Sequence, residues 1–209
     1  MNKPGLILIG AGGHARACID VIEQQGEFSI VGLVGMSAET GATHMGYAVI
    51  GADDDLPSLA GRFRNALIVV GHIRSADARI RLHDLAKKSG FVLPAIVAPT
   101  AYVSRHASIG AGTIVMHGAI VNAGAKVGNN CIINSRALIE HDANVGSHCH
   151  VSTGSILNGS ATLGAGSFVG SGSVIKEGIS LGERCLVGMG VIVRHDQANG
   201  ARFVGRRKS

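Results

Sequence analysis

Between Val127 and Ile175 the chain reads VGNNCIINSRALIEHDANVGSHCHVSTGSILNGSATLGAGSFVGSGSVI, with an aliphatic residue at every sixth position. Traced outward in both directions, the series runs from Val97 through Val103, Ile109 and Val115 to Val193, seventeen residues without exception. The residue after each is often Gly or Asn, and the residue four places on is nearly always Ala, Ser, Thr or Cys. Neither an α-helix nor a flat sheet has use for a period of six. A parallel β-helix does: three six-residue faces close a triangular coil of about 18 residues, coils stack at about 4.8 Å, and one aliphatic side chain per face fills the axis. Seventeen hexads predict nearly six coils. Glycine is expected at the corners, where other residues reach the required backbone conformation only with strain.

The same frame places three of the four cysteines. Cys131, Cys149 and Cys185 all take the small fifth slot of a hexad, in one interior column with Ser167 between, and are expected as core filler. Adjacent coils bring Cys131 and Cys149 within disulfide range on distance alone, although a reducing compartment argues against a bridge.

Residues 1–95 have a different period. LILIGAGGHARACIDVIEQQG is a buried strand, a glycine turn and a helix from about His14 closed by Gly26. FSIVGLVG and NALIVVGHI read as further strands, and SADARIRLHDLAKKSGF as an amphipathic helix capped by Ser75 and ended by Gly90. That order predicts a Rossmann-like α/β domain with a parallel sheet over residues 1–95, then a β-helix domain with a basic C-terminal tail over residues 96–209.

Composition supports an ordered protein of small side chains: 46% hydrophobic, 3% aromatic, 31 Gly and 4 Pro. The apolar run after MNKPG is too short for a secretory signal or a membrane span, so a cytoplasmic protein is expected. The net charge of +5 includes the terminal RFVGRRKS, but no basic stripe is interleaved with aromatics, which argues against nucleic acid and leaves an anionic small ligand.

Two motifs carry chemistry. GAGGHA, Gly10–Ala15, fits G-x-G-x-x-A between a strand and a helix, where backbone N–H groups can hold an anion or a ribose. An NAD or FAD site would want an acid at the end of the second strand. GLVGM offers Gly35 there, so a nucleotide-sugar cradle and a simple packing turn both stay open. The second motif is IEHDANVGSHCH, Ile139–His150. In the hexad frame His141 faces outward, with Ala123 and Gly159 one coil away on either side leaving room for a ligand. Glu140 or Asp142 could bond one ring nitrogen and leave the other free to take a proton; periodicity does not choose between them. A zinc site of His141, His148 and His150 is disfavoured, because Cys149 points inward and the last two histidines lie around a corner. A solvated loop and a pH switch are the remaining readings.

With these motifs the chain resembles the left-handed β-helix acyltransferases of the bacterial sugar N- and O-acetyltransferase type, which include the sialic acid O-acetyltransferase family and the UDP-N-acetylbacillosamine N-acetyltransferases. The likeness runs from GAGGHAR through INSRALIEHDANVGSHCHVSTGS to the hexads. It implies a left-handed parallel β-helix, acetyl-CoA as co-substrate, no metal, a homotrimer with sites between neighbouring chains, and transfer of acetyl to a nucleotide-linked amino sugar. By resemblance His141 is the general base, Asp142 orients it, and His150 bonds the thioester carbonyl. Gly159, Ser171 and Gly188 lie along the pantetheine arm; Gly12, Gly13, His14 and Gly71 line the nucleotide-sugar pocket. The chain departs from the family at two places: VGMSAE stands where an acidic pair often contacts the nucleotide, and VGRRKS replaces a Gly-x-Pro-Ala turn. Arg206 and Arg207 are therefore candidates either for CoA phosphates or for a solvated tail. Acetylation of a sugar hydroxyl is the alternative reaction, and a trimeric scaffold without chemistry the alternative class. A histidine exposed between two acids favours an enzyme.

Overall fold

The computed structural model describes residues 3–203. The N-terminal region is a five-stranded sheet of order β3-β4-β2-β1-β5, built from β1 (Gly5–Ile9), β2 (Ser29–Val34), β3 (Thr43–His44), β4 (Tyr47–Gly51) and β5 (Asn65–Ile68). Helices α1 (Gly13–Gln25), α2 (Leu56–Ala60) and α3 (Asp77–Ser89) pack around it. The run LILI is completely buried because β1 sits between two parallel neighbours, β2 and β5, with helices over its faces. Both long helices close as expected, on Gly26 at φ 70° and Gly90 at φ 99°, the left-handed conformation that glycine reaches without a Cβ clash.

Three details differ from the expectation. The hairpin β3/β4, turning at Met45 and Gly46, has no counterpart among the strands expected from the hydrophobic pattern, yet β4 adds in parallel to β2 and widens the sheet. The short helix α2 was likewise not anticipated. Ser75 stands one residue before the cap position of α3, held by Ala76, although its Oγ still accepts the Asp77 N–H at 3.0 Å.

From Ile96 the hexads become coils. Seventeen two-residue strands, from Ile96–Val97 to Ile192–Val193, each end on one of the seventeen aliphatic residues. They stack in parallel with a register shift of 18 residues into three sheets, which form the faces of a prism. The axis is filled as predicted: from Val115 to Val193 every hexad residue is at most 4% exposed, and each contributes about 1.5–3 kcal/mol by leaving water. An eighteenth pair, Arg202–Phe203, closes on Leu186–Val187 after only 16 residues. The tail positions Arg206 and Arg207 lie outside the described residues.

Glycine plays two parts rather than the one expected. From Gly112 to Gly190 the left-handed corner is the third residue after the aliphatic one, as at Gly124, Gly154 and Gly172, and Asn130, Asp142 and His148 adopt it too. The glycines directly after the aliphatic residue serve closeness instead: a Cβ on Gly128 would stand 2.6 Å from the Ser147 nitrogen of the next coil. The fifth slot is also more than filler. Cys131, Cys149 and Ser167 donate to the carbonyls of Gly146, Gly164 and Gly182 at 3.1–3.2 Å, so a thiol and a hydroxyl are interchangeable there. All four cysteines are buried and free, and burial pushes the Cys131 thiol up to about 11, keeping its proton available to donate.

The three faces differ in what points outward. The first presents Ile96, Ile114 and Ile132, all fully buried in one cluster with α1 and β1 of the N-terminal region. The third presents Ser108, Lys126, Asn144, Thr162 and Ser180, a solvent face. The second presents Tyr102, Ile120, Leu138, Ile156, Val174 and Ile192, apolar throughout, with Tyr102 59% and Ile192 54% exposed.

Candidate active site

His141 stands at the corner where the second face turns into the third, directly after the strand Leu138–Ile139. Its Nδ1 lies 3.0 Å from Asp142 Oδ2. Glu140 is already engaged: its Oε2 accepts from the His141 main-chain N–H and from Asn122 Nδ2, each at 3.1 Å. Asp142 is therefore the acid that orients the ring, a choice the sequence left open. It holds the corner at φ 60°, a conformation that Asp tolerates better than most side chains, and its Oδ1 occupies the space a side chain at Gly124 would need. The hydrogen bond that Nδ1 donates to Asp142 raises the His141 pKa above its ordinary value, opposed by desolvation and supported by the charges of Asp142 and Glu140.

The space beside Gly159, expected to be open, is taken by the imidazole itself. A Cβ there would stand 2.6 Å from His141 Nε2. Gly159 is thus the floor on which the ring lies, and both line a shallow cleft of about 550 Å³ with Asn158, Ser160 and Glu177 in its walls.

His150, Ser171 and Gly188 come together, but in a different place from Gly159. They line a pocket of about 380 Å³ at the corner between the first and second faces, with Ser152, Phe168 and Arg202. His150 is only 7% exposed. Its Nδ1 donates to the His72 carbonyl at 2.7 Å, and its Nε2 accepts from Asn134 Nδ2 at 3.1 Å. Asn134 cannot be turned the other way, because its Oδ1 accepts the Ser135 N–H at 2.8 Å. Burial pushes the His150 pKa down to about 4, so the ring stays neutral with its one proton committed to His72. Asn134 and Ser152 were missed by sequence reasoning, though both share the hexad slot of Gly170 and Gly188 one or more coils away.

The glycine turn divides its residues as well. Gly10, at φ 124°, is the tight point, where a Cβ would stand 2.6 Å from Val70 Cγ2. Gly12 caps α1 and Gly13 begins it, and at both the Cβ position meets nothing within 4 Å. Gly12 lines a cleft of about 640 Å³ at the carboxyl ends of β1 and β2, together with Gly35, Glu39, Asp53, Asp54 and Arg81. Three acids line this cleft: Glu39 from the segment after β2, and Asp53 and Asp54 from the short turn after the unforeseen β4. His14 turns away from this cleft. Its ring packs against Gly71, reaches Cys18 Sγ at 3.4 Å and comes within 6.2 Å of the His150 ring, and burial lowers its pKa to about 3. His72 completes this seam 5.5 Å from His150, also lowered to about 3 by burial. Among the described residues no group of three His, Cys, Asp or Glu side chains is arranged to hold a metal ion.

Two family models match: the PglD N-terminal domain over residues 5–79, and the hexapeptide repeat of succinyl-transferase over residues 160–194. Among solved structures the chain is similar to perosamine N-acetyltransferase from Caulobacter crescentus, at 30% identity over 95% of this chain and 92% of that one, with a TM-score of 0.89. That enzyme was solved in complex with CoA and GDP-perosamine, also as variants with a histidine replaced by asparagine or by alanine. The acetyltransferase domain of PglB from Neisseria gonorrhoeae, solved with acetyl coenzyme A, is 29% identical over 96% of each chain, with a TM-score of 0.88. WeeI from Acinetobacter baumannii shares the fold at 22% identity and a TM-score of 0.83. No curated protein matches in sequence. The chain belongs to the hexapeptide-repeat family of bacterial sugar acetyltransferases.

Proposed function

We propose that the chain is an acetyl-CoA-dependent N-acetyltransferase acting on a nucleotide-linked amino sugar, with a UDP-linked 4-amino sugar as the expected acceptor and a GDP-linked one as the first comparison. The observation that carries the assignment is the His141 ring, which lines a cleft with Nδ1 bonded to Asp142 and Nε2 unbonded over Gly159. With Asp142 accepting the Nδ1 proton, the Nε2 lone pair is the group that takes a proton from the attacking amine. The amine nitrogen bonds to the thioester carbonyl carbon, the carbon–sulfur bond breaks, and the proton held on Nε2 passes to the departing sulfur. No acyl-enzyme is needed; holding amine and thioester together supplies much of the acceleration.

His150 does not fit the donor role that resemblance assigns it, since donation from Nε2 would require the protonated ring that its burial opposes. It is better placed as a neutral wall of the acetyl pocket, its Nε2 already held by Asn134. The small and apolar lining of that pocket, Ser152, Gly170, Ser171 and Gly188 against Phe168 and Leu186, suits a pantetheine arm. Residues 1–95 would hold the nucleotide sugar and residues 96–209 the acetyl donor. The open Cβ positions of Gly12 and Gly13 support a cradle for the nucleotide over a turn that only packs, because packing is already served by Gly10.

The same proposal includes a homotrimer. The second face is an apolar column left uncovered, and its two long edges carry the His141 cleft and the His150 pocket. Packing that face on a neighbouring copy would bring one chain's imidazole to the other's pocket, and repeating the contact around a threefold axis closes the assembly. No helix among the described residues is long and apolar enough to cross a membrane, and four free cysteines accord with a cytoplasmic enzyme. A panel of nucleotide-linked amino sugars and their hydroxyl counterparts, incubated with acetyl-CoA and monitored for free thiol, tests the assignment. Release with a 4-amino sugar supports it; release only with hydroxyl sugars means O-transfer, and none with any acceptor means a scaffold.

A further inference from the structure

Arg79, on α3, is fully buried and meets no carboxylate among the described residues. Its guanidinium instead divides between two parts of the molecule. Nη1 donates to the carbonyls of Ile68 and Val70, at 3.0 and 2.6 Å, where β5 ends. Nη2 donates to the main-chain and side-chain oxygens of Asn130, at 3.1 and 2.6 Å, on a corner of the β-helix. Asn130 answers through Nδ2, which donates to the Arg79 carbonyl at 3.3 Å and to His148 Nδ1 at 3.0 Å. Four of the five guanidinium N–H groups are thereby used, and Nε is left unpaired.

An isolated buried cation is expensive to hold, and a neutral apolar side chain would fill the volume without that cost. What such a replacement could not do is grip four oxygens in two directions at once. Lysine could not either: its ammonium is a point charge with three donors. The grip bears on His150 through the loop beyond Val70. Two residues past Val70, the His72 carbonyl takes the His150 Nδ1 proton, and His150 is carried on the coil directly after Asn130, paired with Ile132.

We propose that Arg79 is a positioning residue for acetyl transfer, a latch that fastens the loop of Gly71 and His72 to the coil wall in the register that orders His150. The proposal rests on the acetyltransferase assignment for its kinetic consequence, but the latch itself does not. The loop is tied at Val70 by Arg79 and at His72 by His150, so the His14 side of the seam and the acetyl pocket keep a fixed separation. The groups facing His150 across the seam are His14 from α1, His72 from the loop, Phe168 from the adjacent coil and the Arg79 charge from α3. That fixed charge opposes protonation of all three imidazoles and so keeps the His150 Nε2 lone pair in place.

Two mild variants test the latch. Asn130→Gly keeps the left-handed corner, φ 53° in the parent, and its carbonyl, but removes all three side-chain bonds, two to Arg79 and one to His148; Arg79→Lys keeps the charge and loses the fork. Each is expected to lower kcat by about 10- to 100-fold with the KM for the nucleotide sugar changed by less than about two-fold, the signature of a misplaced reacting group. The double variant should lose no more than the worse single one. Imidazole resonances of His150 should shift in both variants, in the absence of any substrate. Variants that melt lower yet keep kcat within about two-fold and leave the His150 resonances in place overturn the proposal. The resonance measurement stands even if the wild-type protein transfers no acetyl group, so a failed latch and a failed function are told apart.

Discussion

His141 and His150 lie nine residues apart, one at the corner between the second and third faces and the other on the first face, and their surroundings push them in opposite directions. His141 is 65% exposed, bonded to a carboxylate and raised in pKa. His150 is buried among two other imidazoles and an arginine charge, and lowered to about 4. The proposed base is the ring whose surroundings favour taking up a proton, and the buried ring is the one that stays neutral. Identical side chains in one short motif thus have opposite proton affinities, set by neighbours that sequence spacing alone does not reveal.

The comparison breaks most sharply at His141. Its replacement by Asn or Ala should lower kcat by about 10²–10⁴-fold, with little change in melting temperature because the side chain is exposed. A variant retaining near wild-type turnover would remove the base from the account. Next in size is Asp142→Asn, which keeps a residue tolerant of the corner but loses the anion. A fall of about 10- to 100-fold is expected, with the acid limb of the pH–rate profile moving to lower pH. The sign comes from the raised pKa: transfer needs the neutral ring, so wild-type activity falls as pH drops through a value above the ordinary 6.5, and losing Asp142 brings that value down.

Gly159→Ala is subtler. Its methyl group would collide with His141 Nε2, tilting the ring off its floor, and a loss of about ten-fold in kcat at unchanged stability is expected. A crystal structure of the variant with the ring unmoved would contradict it. On the other side of the comparison the readout is stability. His14, His72 and His150 take up protons in the unfolded chain near pH 6.5 but only near 3–4 when folded. The unfolded state therefore binds more protons in that window, and stability is lost as pH falls from about 6.5. Between pH 7 and 5 this should amount to roughly 5 kcal/mol, or about 10–20 °C of melting temperature. A flat melting profile over that range would mean the seam is wet rather than buried.

How much of this was legible in the sequence depends on the range of the interaction. The coils are set by a repeat, so all seventeen strand ends could be named from Val97 to Val193. The outward position of His141 and the inward column of cysteines come from the same count. The hairpin at Met45 escaped because its pairing is decided by β2, not by its own pattern. The choice of Asp142 over Glu140 turned on Asn122, one coil below, which claims Glu140. The proton on His150 was set by a carbonyl 78 residues away. The two uses of glycine looked alike because both obey the same six-residue count, and only the backbone angles separate them.

The central claim, one chain's His141 working against a neighbour's acetyl pocket, is tested most directly by mixing two inactive variants. His141→Ala removes the base and Ser171→Trp fills the pocket. Co-refolded at equal ratio, subunits that share sites should recover about a quarter of wild-type activity, since a competent site then needs an intact histidine from one chain and an intact pocket from the next. Activity no greater than that of the two variants kept apart would contradict it.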